Sequence, residues 1–569
     1  MEVTAAGTVD RSRSDDVGRP GVTRWPRNGL LRAVGLSAAI SALCLRSFVH
    51  AGYVLQVDAV FGPLAPRLRW NFGLPVTAVQ WVLTRLVGGS GAGRALFFAA
   101  LFVSAFGPML LLADRPWPIQ CLAGLLGALN PWTAERLSEG QFGVVAAAGC
   151  LFLVVAAWES LQRRPGPRPA VLLAVAGAAA VACNAAFLGI VVALVAGALV
   201  AARGWRQPAL WRWTGAAGGV FVTLLVYGII PFLVGGGADT ASALGQVNRG
   251  QLIFFRASRG RYGLLPNLIG LYGSWAERLG RFQVPNHGAP WWPVTSAVLV
   301  VLALLGGWRR RDRAWLLVSG AVGIAVSAFT ATALGLSTTS WLVAQVHLVG
   351  VYREPEKWSA LWLVALAVLA AEGTAPSDRG RMADRAGAKR AAAGGTAALL
   401  LAAAILFPAG LAQVRDLSPQ LRPVTYPGDW TRAAAYLHVH VPAGERVLVL
   451  PWHLYESLDF ADQRLVANPA RDLFPGQLVY PDDPEIPGQP VPPSSGGGLG
   501  PLARARDDSS CLLAQAVRAR HINWVVVERA PGGVYDADRL LTCGFHEVEG
   551  SGGPTLVLKG PNLSEPEHG

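Results

Sequence analysis

Residues 141–160 read QFGVVAAAGCLFLVVAAWES, and this stretch decides the fold. From Phe142 to Trp158 it carries no charged side chain, and its apolar residues cover every face of a helix. Such a helix belongs inside a bilayer or deep in a large core, not on a water-facing surface. A helix rises 1.5 Å per residue, so about 20 residues cross the roughly 30 Å hydrocarbon layer. Similar runs recur at 30–50, 94–113, 116–130, 169–185, 187–203, 213–235, 292–308, 314–334, 357–373 and 394–413. Hydrophobic residues make up 52% of the 569, and mean hydropathy is +0.38. These runs predict an α-helical polytopic membrane protein of about 11 transmembrane helices.

Charge sets the expected topology. Lys and Arg number 49 against 36 Asp and Glu, for a net charge of +13. An excess of this size can mark a nucleic-acid binder. Here the basic residues gather in short loops between apolar runs, which argues against that class. With the N-terminus inside, the inner loops hold Arg115, then Arg163, Arg164 and Arg168, then Arg203, Arg206 and Arg212. Later inner loops hold Arg309, Arg310, Arg311 and Arg313, then Arg379, Arg381, Arg385, Lys389 and Arg390. Arginine clusters on one side are what the positive-inside rule asks for. Eleven spans then put the C-terminus outside, whereas ten would invert the later loops. Only Lys357, Lys389 and Lys559 are lysines. That bias, with abundant Ala, Gly and Pro, suggests a GC-rich coding sequence such as an actinobacterial one.

Three regions follow from composition. Residues 1–28 are polar and of mixed charge, and read as a disordered cytoplasmic N-terminus. Arg46 interrupts the first apolar run and no cleavage site follows, so that run reads as a retained anchor. Residues 29–413 form the transmembrane domain. Residues 414–569 change character and read as an extracytoplasmic α/β domain. There Thr431–His440 and Ala503–Arg520 look helical, while Val447–Pro451, Ile522–Val527 and Thr555–Leu558 look like strands. The stretch 481–500 is dense in Pro and Gly and reads as a flexible excursion. Cys511 and Cys543 lie in this tail and can close a disulfide in an oxidising compartment. The other four cysteines lie in or beside apolar runs and read as inert packing.

Candidate chemistry falls on one predicted face. The outer segments include 51–93, a compact loop from Asn130 to Gln141, and 236–291, which mixes arginines with apolar residues and suggests interfacial helices. Asp58 lies just beyond the first span, either as a solvated or capping acid or as a functional one. Glu135 and Glu139 are spaced i, i+4 with Arg136 beside them. One reading is a helix start capped by Thr133 with acids favouring its dipole; the other is a carboxylate pair facing a polar headgroup. In Val351–Trp358, Pro355 suits a first helical turn. Arg353 and Lys357 there can bind phosphate or snorkel to lipid headgroups. No histidine has metal-ligand spacing, and no phosphate loop or nucleophile elbow occurs.

At these residues the chain resembles the GT-C superfamily of polyprenyl-phosphate-dependent membrane glycosyltransferases. The Asn130-Pro131-Trp132 string with Glu135, Arg136, Leu137, Gly140 and Gln141 looks like those of uncharacterised GT-C-like actinobacterial and archaeal membrane proteins. So does Arg353-Glu354-Pro355-Glu356-Lys357. The resemblance covers about 30–413. It implies transfer of a sugar from a polyprenyl-phosphate donor to a cell-envelope glycan or lipid acceptor on the outer face of the membrane. Asp58 matches the first-loop acid and is the expected base. Glu135, with Glu139 as the weaker choice, matches the second-loop acid. Asp58 stands alone where many members carry a paired acid. The developing phosphate charge would be met by Arg353 or by a divalent cation, Mg²⁺ or Mn²⁺, on Glu135. Arg136, Glu139, Arg353 and Lys357 are the expected substrate contacts. The alternative is a non-enzymatic membrane protein, either a lipid-linked glycan transporter or flippase, or an envelope assembly factor. A third is a degenerate scaffold whose tail does the binding. Transporters need ionisable groups or broken helices at mid-bilayer; here most acids lie at the outer edge.

Overall fold

The chain folds into a bundle of apolar helices followed by a small mixed sheet. The computed structural model describes residues 27–234, 247–279, 292–375, 410–412, 414–442, 444–481, 498–504, 511–528, 533–548 and 555–560. Most of the N-terminal segment 1–28 and of the last predicted span lies outside the described residues. So do Arg281, the predicted inner-loop basic residues from Arg379 to Arg390, and most of the Pro/Gly-rich stretch.

Two described helices are long and apolar enough to cross a membrane, Leu74–Leu111 and Phe142–Arg163. A third candidate is the pair Trp315–Phe329 and Ala333–Gln345, bent by 85° at its break. Shorter apolar helices are Gly29–Cys44, Pro167–Cys183, Phe187–Ala201 and Pro293–Arg309. Phe142–Arg163, Pro167–Cys183, Phe187–Ala201, Pro293–Arg309 and Trp315–Phe329 share one extended core that includes Phe152, Phe187 and Leu316, while Gly29–Cys44 packs on Leu74–Leu111 through Ile40, Cys44, Phe97 and Leu101.

Two expectations in the bundle need correction. The stretch 74–93, read as loop, is the front half of the Leu74–Leu111 helix, which breaks at Gly88 (φ 73°). Arg85, Thr84 and Gln80 interrupt its apolar pattern and disguised it. The run 314–334 is broken, because Thr332 caps a new helix by accepting from the Gly335 N–H at 3.0 Å.

From edge to edge the five-stranded sheet runs Gln477–Val479, Arg446–Leu450, Trp524–Glu528, Thr555–Lys559 and His546–Glu547. Its strands are β1 (Arg446–Leu450), β4 (Gln477–Val479), β5 (Trp524–Glu528), β6 (His546–Glu547) and β7 (Thr555–Lys559). A separate antiparallel hairpin joins β2 (Tyr455–Leu458) to β3 (Arg464–Ala467). β1 runs parallel to β4 and β5, whereas β7 is antiparallel to both its neighbours. Alternation divides the strands between two cores. Val447, Val449, Val526 and Val557 pack with Trp430, Ala433 and Leu437 of the helix Gly428–His440. Leu448, Leu450, Val525 and Leu556 pack with Leu513, Val517 and Leu540 on the other face. The predicted helix 503–520 is described as two helices, Leu499–Arg504 and Leu512–Ala519. Cys511 and Cys543 are joined in a disulfide, Cα atoms 5.7 Å apart.

The sheet is not an appendage. The first of its two cores includes Leu55 and Val60 from the segment after the first helix. Tyr53 bridges Val424, and the Ala467 N–H donates to the Val57 carbonyl at 3.1 Å. The tail is thereby fastened to the backbone just before Asp58, and the Leu64 N–H, donating to the Asp472 carbonyl at 3.2 Å, fastens it beyond.

Candidate active site

Asp58 is held by two separate parts of the chain, the Glu139–Gln141 loop and the tail. Its own N–H donates to the Glu139 carbonyl at 2.7 Å. Gln141 Nε2 donates to Oδ2 at 2.8 Å, and the Tyr455 hydroxyl donates to Oδ1 at 3.2 Å. Gly140 sits where the two loops meet, at φ 84°. A β-carbon there would lie 2.6 Å from the Ala59 nitrogen and 2.8 Å from Gln56 Cβ, so only glycine allows this approach. Asp58 remains solvent-accessible although protein crowds it on all sides. That crowding, with Glu354 nearby, raises its proton affinity; Gln141, Lys357 and Arg353 act the other way.

The helix Pro131–Ser138 supplies the second group. Its cap is Asn130, not Thr133: the Asn130 side chain accepts from the Thr133 N–H at 2.9 Å. Pro131 then occupies the first turn, where no N–H is missed. Glu139 lies at the C-terminal cap, so the expected dipole benefit is absent. Both acids are nevertheless buried, Glu135 at 3% and Glu139 at 0% exposure. The Ser274 N–H donates to Glu135 at 3.2 Å, and the Ser274 hydroxyl donates to Glu139.

Arg136 is fully buried among carboxylates, Glu139 at 2.8 Å, Glu356 at 3.3 Å and Glu354 at 3.8 Å. It lies over the Trp132 ring at 5.7 Å. That geometry ties the Asn130–Gln141 loop to the Arg353–Lys357 loop and leaves Arg136 no face for a substrate. Gln141 makes a second tie, donating to Glu354 at 3.0 Å. Lys357 is likewise committed to Glu354 at 3.2 Å. Arg353 is different: its side chain is 32% exposed, 4.0 Å from Glu354 and 4.9 Å over the Phe255 ring.

Burial sorts the carboxyls by proton affinity. Burial opposes ionisation of Glu354, yet Lys357, Arg353 and Arg136 hold it down to about 2. Burial pushes Glu139 up to about 7 and Glu356 up to about 8 against the pull of Arg136. Glu135 rises well above the carboxylate range through burial and the adjacent Glu277 carboxyl. The site thus holds an acid kept ionised by its cations, an accessible acid of raised proton affinity and three buried acids of raised proton affinity, Glu135, Glu139 and Glu356.

Beyond Glu277 lies a cavity of about 350 Å³ lined by Arg256, Ser258, Arg259, Glu277, Arg278 and Ala331. Ala331 lies at the break in the bent helix pair. Arg278 donates to the carbonyls of Ile253, Phe254 and Arg256, which fixes its guanidinium at the cavity wall. Among the described residues no three Asp, Glu, His or Cys side chains are disposed around one point. The carboxylates nearest Asp58, Glu354 and Glu139, are already paired with Lys357 and Arg136.

Of the predicted residues, Asp58, Glu135, Arg136, Glu139, Arg353 and Lys357 gather here. Cys511 and Cys543 do not. Sequence reading missed Gln141, Glu277, Glu354, Glu356 and Tyr455. Glu354 and Glu356 stood in view inside the Arg353–Lys357 string, and their alternation with basic residues was the available signal. Tyr455 gave none.

Known structures agree with this architecture. The arabinofuranosyltransferase AftD from Mycobacteria superposes on 94% of the chain with a TM-score of 0.57 at 16% identity. The chain has the GT-C fold. A mutant AftD structure gives a TM-score of 0.54 at 16% identity over 94% of the chain. ArnT from Cupriavidus metallidurans, bound to undecaprenyl phosphate, gives 0.43 at 12% identity over 94% of this chain and 98% of its own. The chain spans 40% and 42% of the two AftD chains. No protein-family model and no curated protein matches it.

Proposed function

We propose that this membrane protein transfers a sugar from a polyprenyl-phosphate donor to a cell-envelope glycan or lipid acceptor on the outer face. The observation that carries this reading is Asp58, an accessible carboxyl of raised proton affinity, fixed by Gln141 and Tyr455 within a GT-C fold. General bases work best when their pKa lies near the working pH. Asp58 takes the proton of an acceptor hydroxyl, whose oxygen attacks the anomeric carbon. The bond from that carbon to the phosphate oxygen breaks, and its electron pair leaves with the polyprenyl phosphate. Arg353 is the reachable cation beside Asp58 and stabilises the departing charge. Arg256, Arg259 and Arg278 line a cavity suited to the phosphate itself. Glu135 and Glu139 act behind this surface, holding protons and the loop. Arg136 and Lys357 keep Glu354 ionised and in place.

Topology supports the same reading. The arginines assigned to inner loops, Arg115, Arg163, Arg310 and Arg313, meet around Glu159 and Glu372. Asp58, Glu135, Arg353 and the tail meet at the other end of the bundle. Eleven spans, with the N-terminus inside and the tail outside, satisfy both groupings.

The test is transfer from a synthetic polyprenyl-phosphate sugar by the purified chain, comparing wild type with Asp58→Asn and Arg353→Ala. Loss of turnover in both, with unchanged thermal unfolding, supports the mechanism. Wild-type turnover in Asp58→Asn would overturn the assignment of the base. No turnover with any polyprenyl donor would favour the non-enzymatic alternative.

A further inference from the structure

An apolar groove runs towards the end of the bundle opposite Asp58, between the helices Pro167–Cys183, Phe187–Ala201 and Pro208–Leu224. Its volume is about 340 Å³. Leu173, Val192, Val195, Leu199, Trp211 and Phe221 line it. Among the described residues its lining has one hydroxyl, on Thr214, and that donates to the Leu210 carbonyl at 2.8 Å. The groove opens outward, with Val192 55% and Trp211 60% exposed. Its floor is fixed: a β-carbon on Gly177 would lie 3.1 Å from Val191 and 3.2 Å from Phe221, so all three helices meet there.

The direction of the groove follows from two contacts. The Gly189 N–H donates to the Tyr352 hydroxyl at 2.8 Å, and a β-carbon on Gly143 would lie 2.6 Å from the Cys183 carbonyl. Residues 183–189 therefore sit at the Asp58 end, and Arg168 and Arg203 lie a helix length away at the other.

That other end is basic and has no acid of its own. Between Glu159 and Asp239 the chain carries no acidic residue, while Arg168, Arg203, Arg206 and Arg212 stand at the helix ends that frame the groove. All four are exposed. No carboxylate lies within 4.0 Å of any of them among the described residues, and Arg212 lies instead over the Trp213 ring at 5.9 Å. The turn bearing Arg203 and Arg206 is closed by two backbone hydrogen bonds, Arg206 to Arg203 and Gln207 to Gly204, each 2.9 Å. It packs on the groove, since a β-carbon on Gly204 would lie 2.2 Å from Leu199 Cδ1. Outside the described residues, 1–26 holds four acidic and four basic residues, and 376–409 holds two and five. Neither brings an excess of acid.

An occupant must bring an apolar chain for the groove and negative charge for the arginines at its mouth. An anionic glycerophospholipid carries both in one molecule, and arginine suits its phosphate. Trp211 and Trp213 beside Arg212 mark the level of a membrane–water interface, where such a headgroup lies. Basic pockets between membrane helices are a recurring form of headgroup site. A packed helix fits less well. One 5.4 Å turn of a helix about 10 Å across fills about 420 Å³, more than the whole groove.

We infer that this groove holds an acyl chain of an anionic glycerophospholipid whose phosphate lies against Arg203, Arg206 and Arg212. The inference is independent of the transferase reading, because these residues lie at the far end from Asp58.

The purified full chain in a neutral detergent is titrated with dioleoylphosphatidylglycerol and with dioleoylphosphatidylcholine, and bound lipid is counted by native mass spectrometry. The anionic lipid should bind at least tenfold tighter. An Arg203→Ala, Arg206→Ala, Arg212→Ala variant should bring it down to the level of the zwitterionic lipid; removing these side chains strands no carboxylate. A Gly215→Leu, Gly218→Leu variant should weaken it severalfold with every arginine in place. A β-carbon at either glycine meets no heavy atom within 4 Å, so the leucines fill the groove and not the core. Equal affinity for the two lipids overturns the inference. Loss in the arginine variant alone also overturns it, because the headgroup would then be held at the surface without the groove. Loss in the leucine variant alone does the same, because the groove would then be blind to charge. A leucine variant that keeps its lipid and changes oligomeric state would assign the groove to a helix of a second copy. Turnover is not part of this readout, so its outcome leaves the assignment of Asp58 untouched.

Discussion

Two buried arginines mark the two ends of the Phe142–Arg163 helix. Arg136 lies beside its start and Arg313 beside its finish, about 27 Å along the helix at 1.5 Å per residue. Both sit in carboxylate cages. Arg313 grips Glu159 at 2.6 and 2.8 Å and Glu372 at 2.7 Å, and Arg115 and Arg310 add further cations at 3.0 and 3.4 Å from Glu372. There cations and carboxylates come close to balance, since Arg310 also holds Asp312 at 3.0 Å. At the Arg136 end carboxyls are in excess: Asp58, Glu135, Glu139, Glu277, Glu354 and Glu356 face Arg136, Arg353, Lys357 and Arg278. The first arrangement is a saturated staple joining three helical segments. The second crowds like charges out of water, which raises the proton affinity of its buried carboxyls beside an accessible acid. Similar parts make a fastening at one end and, under the proposed function, a reactive surface at the other.

The sharpest way to break this comparison is to treat both ends alike. Asp58→Asn should lower transfer by about 10²–10⁴-fold, the usual contribution of a general base. Arg313→Lys, at the other end, should leave the turnover of folded protein unchanged. Equal losses in both would mean that the Arg136 end is only structural. Next, Arg136→Met and Arg313→Met should each destabilise the chain by about 3–5 kcal/mol, because each strands buried carboxylates. Thermal unfolding in detergent measures this. A neutral outcome for Arg136→Met would show that its carboxyls are already fully protonated.

The smallest effect is in pH. Glu139 and Glu356 hold their protons up to about 7 and about 8, against an ordinary value of 4.5. Between 4.5 and 8 the folded state therefore binds more protons than the unfolded chain. Raising pH through that window must favour unfolding. The melting temperature should fall from pH 5 to pH 8, and a Glu139→Gln, Glu356→Gln double variant should flatten the slope. A slope unchanged in that variant would remove these two carboxyls from the contrast.

The two ends were unequally legible in sequence. Apolar run length located the Phe142–Arg163 helix to within a few residues. The arginine loops correctly grouped Arg115, Arg163, Arg310 and Arg313, because a flanking charge stays near its helix end. The front of the Leu74–Leu111 helix was lost, since its polar residues broke the pattern that run length depends on. At the Arg136 end, Asp58, Glu135 and Arg353 stood out as charges beside apolar runs. Their partners did not. Gln141 looked like the first residue of a span, and Tyr455 lay in a tail with no visible link to the bundle. Which of two neighbouring charges is buried cannot be read locally: Arg136 and Arg353 look equivalent in sequence, yet one is sealed and the other reachable. That difference arises only when segments distant in the chain are stacked.

Gly140 carries a consequence for how such a site can vary. The clearance between it and the backbone at Ala59 is less than one methyl group. A larger residue at 140 is excluded unless Gln56 and Ala59 retreat together, and their retreat moves Asp58. Positions 56, 59 and 140 should therefore drift as a set in any lineage that keeps this arrangement. An isolated change at 140 would mark a copy that has given up the contact.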